Sequence, residues 1–230
     1  MRLMHPLLSA PIHWQENTVP VLVAEPPKLF RQMVFDLTRQ AEGEGGPFVL
    51  SLQYEPLDCG EHLHVICNYL NLPLEDRKLT NRFQGLLQSI VWEELPEQTD
   101  GLQRSIADYL ALITVRMDCP IAFAEGDYVL PLLKALKCRP VLDGTEPLER
   151  LMQYLSLYNH FMKTQCFILV GMHAYFSPEE LREFYRMAGY EKWTVLLLEQ
   201  HMSAPLPGEV FYLLDEQLCE LRLDSADQTE

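Results

Sequence analysis

Apolar positions along the chain change their spacing several times, and each change marks a different kind of element. Short β-rich runs separated by turn residues predict strands at Leu3–Leu8, Ile12–Gln15 and Val19–Ala24. After Glu25-Pro26-Pro27 the spacing lengthens. Leu29, Phe30, Met33, Val34 and Leu37 fall at i, i+1, i+4, i+5 and i+8, the stripe of an amphipathic helix over Lys28–Arg39. Pro27 suits its first turn, where a missing N–H leaves no bond unmade. The Gly-rich stretch Glu42–Gly46 breaks that helix. Phe48–Tyr54 predicts a strand, and Gly60–Leu70 predicts a helix ending before Pro73.

The middle of the chain keeps a helical spacing. Leu79, Phe83, Leu86, Leu87, Ile90 and Val91 share one face of a helix predicted over Leu74–Leu95 and stopped by Pro96. A second helix is predicted over Gly101–Met117. A third covers Tyr128–Lys137, which accommodates Pro131 only in its first turn. Beyond Pro140–Pro147 a helix over Leu148–Lys163 leads to the apolar strand Cys166–Val170. Ser177-Pro178-Glu179-Glu180 has the pattern of a capping box with proline at the first helical position. That helix runs to about Ala188, with Gly189 as its stop. Trp193–Glu199 is a strand, and Val210–Leu214 with Cys219–Leu223 suggests a closing hairpin. The order predicts an α/β fold, with residues 1–71 and 148–230 forming an α/β head and residues 72–147 an inserted helical domain.

Composition narrows this picture. Of the 230 residues, 48% are apolar and 22% charged, ordinary for a globular protein. No run approaches the roughly 18 apolar residues of a membrane span, and Met1–Leu8 lacks a signal-peptide core, so a cytoplasmic location without membrane contact is expected. The last residues, Asp224 to Glu230, are polar and aperiodic. Six cysteines, none in a CxxC pair, read as small buried hydrophobes. Net charge is −15, with 33 acidic against 18 basic side chains. Such a balance opposes nucleic-acid binding unless the cations are gathered on one surface.

The residue types that would carry chemistry are sparse. The turn between Val19–Ala24 and the first helix is where a phosphate-binding loop would lie, but Glu25-Pro26-Pro27-Lys28 has no glycine and two residues without N–H donors. Strand Cys166–Val170 ends in Gly171-Met172-His173, with no carboxylate at its tip to hold magnesium. Glu61-His62-Leu63-His64 is the only histidine cluster, and on a helix its rings point about 200° apart. His173 and the remaining histidines are isolated. Asp118, Glu125 and Asp127 form a carboxylate group able to hold a hard cation such as calcium, or simply a solvated acidic loop. The cations available for DNA are Lys28 and Arg31, then Arg77, Lys78, Arg82 and Arg116, and finally Lys134, Lys137 and Arg139. One copy of so small a basic group grips DNA weakly, whereas symmetric copies around one cavity add their contacts.

Several segments, in order, carry a family resemblance: Pro6-Leu7-Leu8, Pro11-Ile12, Val19–Ala24 with Glu25, Leu132-Leu133-Lys134-Ala135-Leu136, Tyr175-Phe176-Ser177-Pro178-Glu179-Glu180-Leu181 and Thr194–Glu199. From about residue 2 to 224 the chain resembles the type II-A CRISPR adaptation accessory protein, the Csn-two family. That resemblance implies a head with a degenerate P-loop-like sheet and an inserted helical leg. It also implies a homotetrameric ring that binds double-stranded DNA ends without sequence preference. Its implied partners are the CRISPR integrase complex and the RNA-guided effector nuclease, in spacer acquisition. Calcium-binding members carry an alternating acidic and apolar track where this chain has Ile121-Ala122-Phe123-Ala124-Glu125-Gly126-Asp127, with most of those carboxylates replaced. The expected function is a non-enzymatic DNA-end-binding ring. The alternative is an acidic protein-interaction scaffold of the adaptation complex with little DNA binding, and a nucleotide hydrolase ranks last.

Overall fold

The computed structural model of the chain describes residues 1–74, 76–123, 126–162 and 166–224. In chain order the elements are β1 (Arg2–Met4), β2 (Ile12–His13), β3 (Val19–Ala24), α1 (Pro27–Ala41), β4 (Val49–Leu52), β5 (Glu55–Leu57), α2 (Cys59–His62) and β6 (Leu63–Ile66). Three helices follow: α3 (Arg77–Ser89), extended by one π-helical turn at Ile90–Glu94, then α4 (Pro96–Arg116) and α5 (Val129–Ala135). The chain closes with α6 (Pro147–Phe161), β7 (Cys166–Val170), a 3₁₀ turn at Met172–Ala174, α7 (Pro178–Tyr190), β8 (Thr194–Glu199), β9 (Glu209–Leu214) and β10 (Glu220–Asp224).

Residues divide into two compact units, Met1–Leu72 with Leu142–Glu230, and Pro73–Val141. The first unit is mixed α/β with two sheets. A small antiparallel sheet runs β2-β1-β4-β5, and a six-stranded sheet runs β10-β9-β3-β8-β7-β6. Within the larger sheet β9, β3, β8, β7 and β6 are parallel, and β10 adds an antiparallel edge. All six residues of β3 and all five of β7 are buried. This is why both read as unbroken apolar runs: a parallel strand covered on both faces has no polar side to alternate. Leu22, Ala24, Leu196, Leu198 and Leu214 share one core with Met33 and Leu37 of α1. Each fully buried leucine there contributes roughly 1.5–3 kcal/mol relative to exposure.

The second unit is helical and thinly cored. Asp76 caps α3, its carboxylate accepting the N–H groups of Lys78 and Leu79. Among its described residues the buried apolar ones are Leu79, Val91 and Val129. The Thr99 hydroxyl donates to the Val91 carbonyl at 2.7 Å and ties the start of α4 to the π turn.

Several boundaries differ from the pattern-based expectation, each for a physical reason. The helix expected over Gly60–Leu70 stops at His62, because Leu63–Ile66 pairs in parallel with β7, Leu63 opposite Cys166. His62 and His64 therefore sit on different elements, not on one helix. The strand expected over Leu3–Leu8 keeps only Arg2–Met4, and Ile12–Gln15 keeps two residues. Helix α3 begins at its Asp76 cap, later than Leu74, while Pro96 opens α4 five residues before Gly101. Pro131 is the third residue of α5, in the first turn as its ring requires. The capping box forms as expected: Ser177 accepts from the Glu180 N–H, and Glu180 accepts from the Ser177 N–H. Helix α7 passes through Gly189 and ends only where Lys192 takes a left-handed conformation, φ 56°. The hairpin of β9 and β10 forms, Leu221 opposite Leu213. Cys59 and Cys166 are buried, but Cys67, Cys119, Cys138 and Cys219 are exposed, which corrects the reading of all six as core residues.

Candidate nucleic-acid interface

Three of the nine candidate DNA-binding cations converge. Lys134, Lys137 and Arg139, all exposed, line a cleft of about 330 Å³ between α3 and the α5 region, wholly inside the second unit. Its apolar lining is Leu74, Phe83 and Leu87 from the α3 side, and Leu130 and Leu133 from α5. These five side chains are each half-buried, so the cleft joins a greasy surface to three positive charges.

The end of α5 explains how the cations come together. The Cys138 N–H donates to the Leu133 carbonyl at 3.2 Å, and the Lys137 N–H donates to the Lys134 carbonyl at 3.0 Å. This is a Schellman closure, in which the residue after the C-cap must be left-handed. Lys137 occupies that position at φ 53°, where glycine is the usual occupant. The turn reverses the chain and aims Cys138 and Arg139 back at the cleft that Lys134 already lines. Lys134, in the last turn, also complements the negative end of the helix.

The other six cations do not line the cleft; Arg77, Lys78 and Arg82 are exposed on α3. Arg116 is exposed in the last turn of α4, its guanidinium donating to the Leu112 carbonyl at 3.1 Å, and it does not line the cleft. Lys28 and Arg31 are exposed on the first turns of α1 in the first unit. No acidic residue occupies the first turn of α1. The Glu25 N–H at the preceding turn donates to the Leu214 carbonyl at 3.0 Å, and Pro26 and Pro27 have none to offer. Glu25, Pro26 and Pro27 therefore offer a phosphate no N–H, unlike the glycine-rich loop that would cradle one.

Among the candidate calcium ligands, Asp127 caps α5, accepting the Val129 N–H at 2.8 Å and the Leu130 N–H at 3.3 Å. Asp118 is exposed, and Glu125 lies outside the described residues. Among the described residues no group of three His, Cys, Asp or Glu side chains is placed to hold a metal ion.

The most organised polar group in the first unit was invisible to motif reasoning, which treated His173 as isolated. The His173 ring, 11% exposed, bridges two carboxylates: Nδ1 to Glu199 at 3.0 Å and Nε2 to Glu209 at 2.9 Å. The His173 N–H also donates to Glu199, while Glu209 accepts from the Tyr185 hydroxyl and the Leu206 N–H. Glu199 and Glu209 stand in register with Val23 and Val19 on one face of the large sheet. Burial works most strongly against charge on the imidazole. Hydrogen bonds to Glu199 and Glu209, and their charges, more than offset it and push the His173 pKa up to about 9. Burial first, and then Glu209, push the Tyr185 hydroxyl up as well. With every ring nitrogen engaged, the network pins the turn after β7 to β8 and β9. The signal in the sequence was a glutamate within two apolar strands, Leu196-Leu197-Leu198-Glu199 and Glu209-Val210-Phe211, since a buried carboxylate demands a cationic partner.

Comparison with known proteins bears on what such a scaffold is for. No individual curated protein matches the chain. Residues 40–218 match the family described as CRISPR-associated protein (Cas_Csn2), a span that takes in the whole helical unit, the cation-lined cleft and the buried histidine network. The chain belongs to the Csn2 family of CRISPR-associated proteins.

Proposed function

We propose that this protein is a non-enzymatic, ring-forming binder of double-stranded DNA ends that acts in spacer acquisition beside the CRISPR integrase and the RNA-guided effector nuclease. The first unit serves as the head, its sheet a nucleotide-binding scaffold whose phosphate loop has been lost. The second unit serves as the inserted leg. The observation that carries the reading is the gathering of Lys134, Lys137 and Arg139 on one cleft, in a chain of net charge −15. Three cations are a weak grip on a polyanion, and a homotetramer would set twelve of them around a common opening by about four-fold repetition. Self-association has a surface to use: Leu102, Tyr109, Leu112 and Val115 of α4 are all exposed, Val115 at 84%. Exposed apolar side chains on one helix offer a partner area to cover.

Gel shifts of the full-length chain test the reading, using a linear duplex and the same sequence as a covalently closed circle over a salt series. Linear DNA is expected to shift in a salt-sensitive way and the circle much less. Replacing Lys134, Lys137 and Arg139 with Glu should abolish the shift at moderate salt and lower the salt slope by up to about three per subunit engaged. Native mass spectrometry should report four subunits with one duplex. The same acidity favours a second reading, a scaffold for basic protein partners with little DNA contact. Tetramers that fail to shift any duplex at low salt would establish it instead.

A further inference from the structure

The cleft holds more than a phosphate-binding surface needs. Backbone phosphates call for exposed cations alone, and an apolar floor beneath them adds nothing to such contacts. Here the three cations share their cleft with Leu74, Phe83, Leu87, Leu130 and Leu133. Its volume of about 330 Å³ lies at the lower end of clefts that take a small organic ligand, roughly 300–1,000 Å³. A ligand matching both halves has a flat apolar body joined to negative charge.

From this we infer that the cleft captures the unpaired terminal nucleotide of a DNA end, its base against the apolar floor and its flanking phosphates on Lys134, Lys137 and Arg139. The inference rests on the DNA-end reading above and adds a preference among ends: frayed or overhanging termini over blunt ones. Within a duplex each base is stacked on both faces and paired along one edge, so only an end supplies a base at small cost. Contact with a base face is tolerant of sequence because every base has one. An acidic peptide would also meet the cations. An amphipathic helix, however, needs a groove that extends over anchors at i, i+4 and i+7, which a cleft of this size does not offer.

The test uses the full chain with three 30-base-pair duplexes, one blunt, one with a 3′ overhang and one with a 5′ overhang, each carrying 2-aminopurine at the terminal position. Tighter binding of one overhanged duplex by about tenfold is expected, the magnitude of one base contact, together with a change in its 2-aminopurine emission. The variant Gln84→Trp, which places bulk in the cleft from exposed α3, should bring the overhang-to-blunt affinity ratio to about one. Equal affinity for all three ends with an unperturbed probe overturns this inference and leaves the end-binding reading standing. Absence of any duplex binding defeats both. Binding of a fluorescent oligoglutamate peptide in competition with the overhang, without a 2-aminopurine response, assigns the cleft to a protein partner and also overturns the inference. The probe response of the parent chain decides the matter even where Gln84→Trp does not fold.

Discussion

The two units of this chain solve the problem of stability in opposite ways. In the first, central strands are buried on both faces, and a half-buried histidine is held between two carboxylates. In the second, three of the described apolar residues are buried, while α4 leaves leucines, a tyrosine and a valine in solvent. A segment of about 70 residues with so small a core is marginal by itself. Its apolar surface is instead distributed where something else can use it: in the cleft beside three cations, and along α4. The first unit is organised for its own stability, and the second for contact.

The sharpest way to break that contrast is to attack each unit at its most buried point. Glu209→Ala removes one carboxylate from a network that is otherwise closed to solvent, leaving the Nε2 side of His173 and the Tyr185 hydroxyl without their acceptor. The loss should be about 3–5 kcal/mol in urea unfolding monitored by circular dichroism. A loss under 1 kcal/mol would mean that the network is not structural. In the second unit Leu79→Ala, at a fully buried position, should cost about 2–4 kcal/mol. The comparison predicts that this damage is local: hydrogen exchange should rise across residues 73–141 and stay low in β3, β7 and β8.

Acidity gives a smaller effect confined to the first unit. The folded pKa of His173, about 9, lies above its ordinary 6.5. Charged His173 is thus favoured by folding, so its contribution is fully present below pH 6.5 and is lost as pH rises through 9. Glu199, Glu209 and Tyr185 are the titratable groups facing it, and the Tyr185 hydroxyl, held up by burial, stays protonated through this window. Stability should fall by about 3 kcal/mol between pH 6.5 and 9.5, and His173→Gln should flatten that slope. A parent chain equally stable at both pH values would place the histidine neutral in the folded state.

How much of this could be read from the residues alone follows from the same contrast. Strands β3, β7 and β8 and the capping box at Ser177 were legible because each is a local pattern: a continuous apolar run, or four residues with one geometry. Leu63–Ile66 was not, since a four-residue segment beside a short helix takes its identity from pairing with β7, about a hundred positions away. The histidine network was hidden for the same reason, its members being spread over residues 173 to 209. At the candidate DNA site, Lys134, Lys137 and Arg139 stood out as neighbours in the chain. What no pattern disclosed was that the turn at Lys137 folds them against an apolar cleft, because a left-handed lysine carries no signature. Lys28, Arg31 and Arg116 had the right charge, but none of them lines that cleft.

That lysine offers the finest test of the contrast. A left-handed backbone costs a residue with a Cβ about 1 kcal/mol or more, and glycine escapes the penalty. Position 137 nonetheless carries lysine at φ 53°, on a turn whose backbone hydrogen bonds glycine would keep intact. Lys137→Gly should therefore stabilise the second unit by about 0.5–1 kcal/mol in thermal unfolding, while weakening duplex binding and reducing its salt dependence by about one phosphate contact. Stability and binding would then move in opposite directions at one residue, as expected where a position is kept for its charge and not for its turn. Lys137→Asn, which tolerates the left-handed region without a charge, should reproduce the binding loss. Unchanged affinity in both variants would show that the cleft does not touch DNA through this lysine, and the second unit would lose its clearest mark of being built for contact.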